Sequence, residues 1–477
     1  MTKKLNEVSI LEAAKLLRSG ECTVSELFDA CRNEAIARNE ELNAYLEIFE
    51  RDEAAIEAAQ KRINKEKDNA PLLCGIPLAM KDNILMKGRI ASAASKILAK
   101  YVATYDATAV EKLKHAGALF VGRANMDEFG MGASTENSAY GPSKNPHDIS
   151  RTPGGSSGGS AVAVAANMAL GAYGSDTGGS CRQPAAYCGI VGFKPTYGAI
   201  SRYGLISLGS SLDQIGEMGK SVADVRALYD VVKGQDTMDA TTFAPQTYAH
   251  VPTKESYTIG VPYDLLTGLD PRVKEKFDAT LLKLQQEGHT VVPVSLPTSE
   301  YALSMYYIVL PAEISTNLAR FDGVRYGEHK ESADLLQEYL STRSEGFGRE
   351  SVRRILIGTY VLSAGYIDAF YNKATAGRDV LRKEYMDAFA SVDVIATPTS
   401  PSVAFKFGEK SDPVSMYLED IYTVTANLTG FPALSVPMGD VAEADTMLPT
   451  GILFTAPYGG EERLFSVGAK VTGESLS

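Results

Sequence analysis

Two glycine-flanked serine stretches and one lysine are the residues whose types and spacing could do chemistry in this chain. "TPGGSSGGS" fills 152–160 and carries Ser156, and "GSDTGGSCRQPAAYCG" starts at 174 and carries Ser180. "GIPLAMKDN" sets Lys81 at the end of an apolar run, well ahead of both serines, with Asp82 and Asn83 beside it. A serine hydroxyl becomes an effective nucleophile when a base takes its proton. Lysine can be that base if burial or a nearby cation lowers its pKa from about 10.4, and the apolar run before Lys81 offers burial. A second serine between base and nucleophile can pass the proton in both directions. The run Asp176-Thr177-Gly178-Gly179-Ser180 supplies consecutive backbone N–H groups that glycine's freedom lets converge on a developing oxyanion. Together these residues point to acyl transfer through a Ser–Lys arrangement, a form of the triad logic that needs no histidine.

Other readings of the same stretches fit less well. The loop at 154–159 has no Lys-Ser/Thr to close a phosphate loop, and "DISRTP" before it is no strand, as a dinucleotide fingerprint would require. Gly154-x-Ser156-x-Gly158 and Gly155-x-Ser157-x-Gly159 formally match a nucleophile elbow, but Pro153 stands where its strand should end and no histidine follows His329. The five histidines (His115, His147, His250, His289, His329) and five cysteines (Cys22, Cys31, Cys74, Cys181, Cys188) are dispersed and match no common metal spacing. Buried free thiols are the expectation for the cysteines, and no metal site is expected. A glycine-rich loop before a helix can also be a plain turn or an anion site.

The elements that must position these residues follow from pattern. Of 477 residues, 44% are hydrophobic and 22% charged, enough for a large core. The net charge of −12, with no long basic run, argues against this chain gripping nucleic acid by itself. No apolar run approaches the length of a membrane span, so no membrane is expected and a cytoplasmic setting is the default. Residues 1–70 read as an N-terminal helical region. "SILEAAKLLRSG" stops at Gly20, Thr23-Val-Ser-Glu26 is a capping box, "LNAYLEIF" is a strand and "EAAIEAAQKRIN" a third helix. Beyond Pro71, strands are predicted at 118–122, 257–261, 289–294, 392–397, 433–437 and 450–455. Helices are predicted at 108–115, 160–170, 222–233, 271–286 and over most of 300–390. The alternation predicts an α/β fold. It would be a single large domain over 1–477, with a mixed, mainly parallel central β-sheet covered by helices on both faces and residues 1–70 packed on it.

Lys81, Ser156 and Ser180 at these separations resemble the Ser-cisSer-Lys triad of the amidase-signature family, and the block 154–182 resembles its defining stretch. Longer matches extend the resemblance from about residue 5 to 440: "NMDEFGMGASTENSAYGPSKNP", "SDTGGSCRQPAAYCGIVGFKPTYGAISRYGLI", "SSLDQIG", "NLARFDGVRYG" and "EGFGRESVRRILIGTYVLSAGY". These are similar to the glutaminase branch of the tRNA-dependent amidotransferases; the stretch 451–477 departs from that pattern. The resemblance implies Ser180 as nucleophile, Ser156 as a bridging serine after a cis peptide, and Lys81 as general base. It also implies an oxyanion hole at Thr177, Gly178 and Gly179. Glutamine is the implied substrate, its α-carboxylate on Arg354 (Arg353 the competitor) and its α-ammonium on Asp420, with Tyr306 or Tyr307 lining the pocket. A planar guanidinium suits a carboxylate. The implied product is ammonia for Glu-tRNA(Gln) or Asp-tRNA(Asn) held by a B subunit that uses ATP and Mg2+, with a small C subunit wrapping this chain and no cofactor in the chain itself. The alternatives are a stand-alone amidase for a small-molecule amide and a scaffold without chemistry.

Overall fold

Capping decides where the first helices begin and end. The computed structural model describes residues 4–244, 246–248, 251–444 and 446–476; His250 lies outside them. In the helix Ile10–Ser19 the Ser9 hydroxyl accepts the Glu12 N–H at 3.1 Å, and the Glu12 carboxylate accepts the Ser9 N–H at 2.9 Å. The helix ends at Gly20, whose φ of +79° is left-handed. Thr23 and Glu26 repeat this reciprocal cap at the head of Val24–Leu42. The third expected helix spans Glu53–Glu66.

Eleven strands among the described residues join one sheet. They are β1 (Tyr45–Ile48), β2 (Pro77–Lys81), β3 (Leu119–Ala124), β4 (Gly171–Asp176), β5 (Val191–Lys194), β6 (Gln214–Gly219), β7 (Thr258–Val261), β8 (Thr290–Pro293), β9 (Val394–Pro398), β10 (Ala433–Glu443) and β11 (Thr446–Thr455). Their order is β1-β3-β2-β4-β6-β5-β10-β11-β9-β7-β8. Every strand expected from pattern forms, the apolar run before Lys81 adds β2, and β1 carries the N-terminal region into the sheet edge rather than leaving it packed outside. The sheet is mixed, as expected, but not mainly parallel. Four ladders are parallel (β2–β3, β2–β4, β7–β8, β7–β9) and six antiparallel. Parallel neighbours need a crossover of a dozen or more residues. β10 ends at Glu443 and β11 starts at Thr446, too close for a crossover, so that pair can only reverse direction.

The antiparallel middle contains the strands that pattern did not find, β4, β5 and β6. They are rich in glycine, which lowers strand propensity and marks close approach of backbone. A Cβ on Gly192 would stand 2.5 Å from the Ala185 Cβ. One on Gly174 would stand 2.7 Å from both the Ser157 hydroxyl and the Cys181 thiol. The helix Arg182–Cys188 and the serine loop therefore lie directly on the sheet. On the other face Tyr173, Glu217 and Phe193 stand in register across β4, β6 and β5. Phe193 packs there against Tyr229 (5.4 Å) and Phe465 (4.8 Å) of the helices Val222–Val232 and Glu461–Thr472. Helices thus cover both faces, and the stretch 451–477 supplies half of β11 and one of those helices. The helix expected at 160–170 spans Gly158–Ala165, ending early so that β4 can start at Gly171. All five cysteines are buried free thiols. No helix among the described residues is long and apolar enough to cross a membrane.

Candidate active site

Parallel pairing of β2 with β4 sets their C-terminal ends side by side. β2 is buried throughout and ends on Lys81; β4 ends on Asp176, just ahead of the turn that carries Ser180. The loop 152–157 crosses this edge and feeds the helix Gly158–Ala165. Residues far apart in the chain meet here because strand ends and loops share one rim.

Lys81 is fully buried, and its Nζ lies 2.8 Å from Ser156 Oγ, 2.8 Å from Ser157 Oγ, 2.9 Å from Ser175 Oγ and 3.2 Å from the Ser175 carbonyl. Burial lowers its pKa to about 8, against the pull of Cys181, Asp127, Asp176 and Asp213, so the amine is partly neutral near neutral pH. A neutral amine has two N–H donors and one lone pair. Ser157 and Ser175 can take the donors, leaving the lone pair to accept the Ser156 proton. Asn83 donates to Ser175 Oγ at 2.9 Å, which holds that hydroxyl in place. Asp82 turns away to Arg123 and Ser92 and takes no part.

The Gly155–Ser156 peptide is cis. Gly155 N–H donates to Gln183 Oε1 (3.0 Å), and the Ser156 carbonyl accepts the Asp127 N–H (3.2 Å). Ser157 N–H donates to the Ser180 carbonyl at 3.1 Å, which ties the two serine loops together. Ser180 is 7% exposed, and its hydroxyl has no hydrogen-bond partner among the described residues. Asp176 anchors its turn by accepting Gly179 N–H (3.0 Å), Cys181 N–H (3.1 Å) and the Arg182 guanidinium (2.8 and 3.0 Å). Burial alone would raise its pKa, but Arg182 and the hydrogen bonds hold it at about 2, so it is ionised.

Of the three residues expected in an oxyanion hole, Gly179 departs from expectation because its N–H is spent on Asp176. Its φ of +136° and its contact with Thr423, whose Oγ1 would lie 2.2 Å from any Cβ there, make its role conformational. The N–H groups of Thr177, Gly178 and Ser180 have no acceptor among the described residues. The Thr177 hydroxyl is held by Asp213 at 2.8 Å.

A second cluster adjoins this turn. Tyr306, on the buried side of the helix Ala302–Asn317, places its hydroxyl 2.4 Å from where a Gly178 Cβ would be. Tyr307 crosses it at 88° and donates to Asp420 Oδ2 at 3.3 Å. Arg354, 3% exposed, lies over the Tyr307 and Tyr417 rings at 5.1 and 5.3 Å. It donates only its Nε, to Glu350 Oε1 at 2.8 Å, so both terminal NH2 groups are uncommitted among the described residues. Arg353 also bonds Glu350, from a position one-third exposed, which separates the two arginines. Burial pushes the Asp420 carboxyl up to about 8, in spite of Arg354. The cluster therefore presents an open cationic fork and an acid within one buried group of aromatic rings.

The structure brings Lys81 and Ser156 into direct contact, and places Ser180, Thr177 and Gly178 on the adjoining turn. Sequence reasoning did not find Ser175, Asp213, Glu350, Tyr417, Thr423 or Asn427. Ser175 and Asp213 lie inside quoted motifs and could have been marked for their position, whereas Thr423, in the turn after Asp420, and Asn427, in the short helix Val424–Thr429, are unusual in neither type nor spacing.

A sequence model of the family described as Amidase matches residues 26–465. The chain is 47% identical over 473 residues to the A subunit of a glutamyl-tRNA(Gln) amidotransferase from Desulfatibacillum aliphaticivorans, covering 97% of this chain and 96% of that one. It is 48% identical over 474 residues to the corresponding protein of Acidobacterium capsulatum, covering 98% of each. The crystal structure of the glutamyl-tRNA(Gln) amidotransferase A subunit from Thermotoga maritima superposes with a TM-score of 0.81 at 37% identity, covering 100% of this chain and 96% of that one. A 6-aminohexanoate cyclic dimer hydrolase superposes with a TM-score of 0.82 at 26% identity, covering 99% and 97%. With the family model spanning most of its length, the chain belongs to the amidase family.

Proposed function

We propose that this chain is the glutaminase subunit of a tRNA-dependent amidotransferase, hydrolysing glutamine through Ser180, Ser156 and Lys81. The observation that carries the reading is the fully buried Lys81, in contact with Ser156 and beside the Ser180 turn, which the cluster holding the Arg354 guanidinium and the Asp420 carboxyl adjoins. Glutamine differs from a plain amide by one carboxylate and one ammonium, and this pair of residues offers a partner for each. Tyr306 would close the side chain's path to Gly178.

In this reading the Ser180 oxygen attacks the glutamine carboxamide carbon while its proton moves to Ser156 and the Ser156 proton moves to the Lys81 lone pair. The N–H groups of Thr177, Gly178 and Ser180, which have no other acceptor among the described residues, would take the developing oxyanion. Return of the proton from Lys81 through Ser156 to the leaving nitrogen expels ammonia and leaves a γ-glutamyl ester on Ser180. Water, deprotonated by the same relay, then releases glutamate. The ammonia would serve a B subunit that binds Glu-tRNA(Gln) or Asp-tRNA(Asn) and uses ATP with Mg2+, in a cytoplasmic complex completed by a small C subunit. The names of the relatives at 47% and 48% identity support this assignment. The acidic net charge of −12 fits a chain that leaves tRNA to its partner.

The test is ammonia release from glutamine and from butyramide by the chain with its co-purifying partners, with Ser180→Ala as control. Preferential turnover of glutamine that vanishes in Ser180→Ala is the expected result. Turnover of butyramide with indifference to glutamine would instead establish a stand-alone amidase. The likeness to a hydrolase of a cyclic amide keeps that outcome in view.

A further inference from the structure

The turn that carries Asp420 and the turn that carries Ser180 are bolted together. Arg182 Nη1 donates to the Thr423 carbonyl at 3.0 Å and Nη2 to Asn427 Oδ1 at 2.7 Å. Asn427 Nδ2 donates to the Asp176 carbonyl at 3.1 Å and to Asp176 Oδ1 at 3.0 Å. Thr423 N–H donates to the Asp420 carbonyl at 3.0 Å, closing the turn that presents the acid. The Thr423 hydroxyl, 3.1 Å from the Asp420 carbonyl, donates to the closer Gly178 carbonyl at 2.6 Å.

That last bond has a partner on the far side of the same peptide unit. In a trans peptide the carbonyl and the next N–H point in opposite directions. The unit joining Gly178 to Gly179 is therefore gripped at both ends, its oxygen by Thr423 and its N–H by Asp176 Oδ1 at 3.0 Å. With that plane held, the adjoining peptides that carry the Gly178 and Ser180 N–H groups have less freedom to turn. Without the Thr423 hydroxyl the plane has one restraint, and its two glycines offer little resistance to rotation. Thr423 also fills the space a Gly179 side chain would need, its Oγ1 2.2 Å from such a Cβ, so hydroxyl and loop are fitted to each other.

We propose that Thr423 is a positioning residue that clamps the Gly178–Gly179 peptide and so aims the oxyanion donors, while its backbone sets Asp420 at a fixed separation from them. The clamp acts on every amide; its link to Asp420 rests on the glutamine reading above. Because Thr423 touches neither the substrate nor the reacting atoms, its loss acts on kcat.

Thr423→Val keeps the shape and removes the hydroxyl. It is expected to lower kcat about tenfold for both glutamine and butyramide, with KM for each within about twofold. Thr423→Ser, which restores the hydroxyl, is expected to recover kcat. If the valine variant does not fold, as judged by thermal melting, Thr423→Ala is read in its place. Unchanged kcat in the hydroxyl-free variant, a change confined to KM, or a serine variant as slow as the valine one would overturn the clamp. Asp420→Asn, run in parallel, reports on the glutamine reading alone: an unaltered glutamine KM there would sink the ammonium subsite and leave the butyramide result on Thr423 to stand.

Discussion

Lys81 shows how one residue's chemistry is made by its surroundings. In water its amine would be protonated at neutral pH; in this site burial brings the pKa to about 8. The sign of the consequence is fixed by the role. A base must be neutral, so butyramide turnover should rise with pH through about 8 and level off above it. Butyramide is the right probe, because Asp420 is also pushed to about 8 and would add its own ionisation to the glutamine profile. Lys81→Ala should cost about a thousandfold in kcat, and a flat pH profile for the parent enzyme from neutral to alkaline conditions would remove lysine from the role of base. Asp176, the charged residue that anchors the Ser180 turn, is tuned the opposite way. Asp176 is kept ionised by Arg182, consistent with a fixed anchor that exchanges no proton.

At the scale of the element, the central strands trade intrinsic propensity for proximity. Gly174 in β4 and Gly192 in β5 let a helix and the serine loop approach within contact of the backbone, which is why those strands read poorly from pattern. β6 carries a different anomaly. Glu217 faces the opposite layer, fully buried, and neither carboxyl oxygen has a hydrogen-bond partner among the described residues. Burial raises its pKa well above the ordinary value, so it folds as the neutral acid. A folded-state pKa above the unfolded one means the native state holds the extra proton. Stability is then full below about pH 4.3 and falls by about 1.4 kcal/mol per pH unit above it, until the folded pKa is reached. Glu217→Gln has the same shape and no proton to lose. Its melting temperature should match the parent in mild acid, near the ordinary glutamate pKa, and exceed it by a growing margin toward neutral and alkaline pH. A constant offset across that range would show that Glu217 has an unseen partner for its charge.

For the whole molecule, the N-terminal region is built into the sheet. β1 pairs with the edge of β3, at Tyr45 with Ala124, and the Ile10 N–H donates to Asp224 Oδ1 at 2.8 Å across 214 residues. We take residues 1–477 as one folding unit for this reason. Deleting residues 1–50 strips β1 and two helices from one continuous buried core. The truncated chain is expected to lose its cooperative thermal transition, whereas the full chain melts in one step. A truncated chain that melts sharply and keeps amide turnover would make this N-terminal segment an appendage.

Much of this was legible before any coordinates. Caps at Ser9 and Thr23, helical periodicity, and the apolar strands of the sheet's wings are local signals, and local geometry obeys them. Lys81, Ser156 and Ser180 were recognisable because glycine-flanked serines and a lysine behind an apolar run are chemically unusual. The direction of the central strands, by contrast, depends on which neighbour each strand meets, and no window of sequence contains that. Nor does sequence show that Gly179 spends its N–H on Asp176, or that Arg354 and not Arg353 is the buried arginine. Thr423 and Asn427 carry no local signal because the bonds that tie them to the Ser180 turn span more than two hundred residues. Residue type and spacing determined the chemistry available to this protein. Hydrogen bonds between distant segments decided which groups remain free to perform it, because each buried donor can be spent only once.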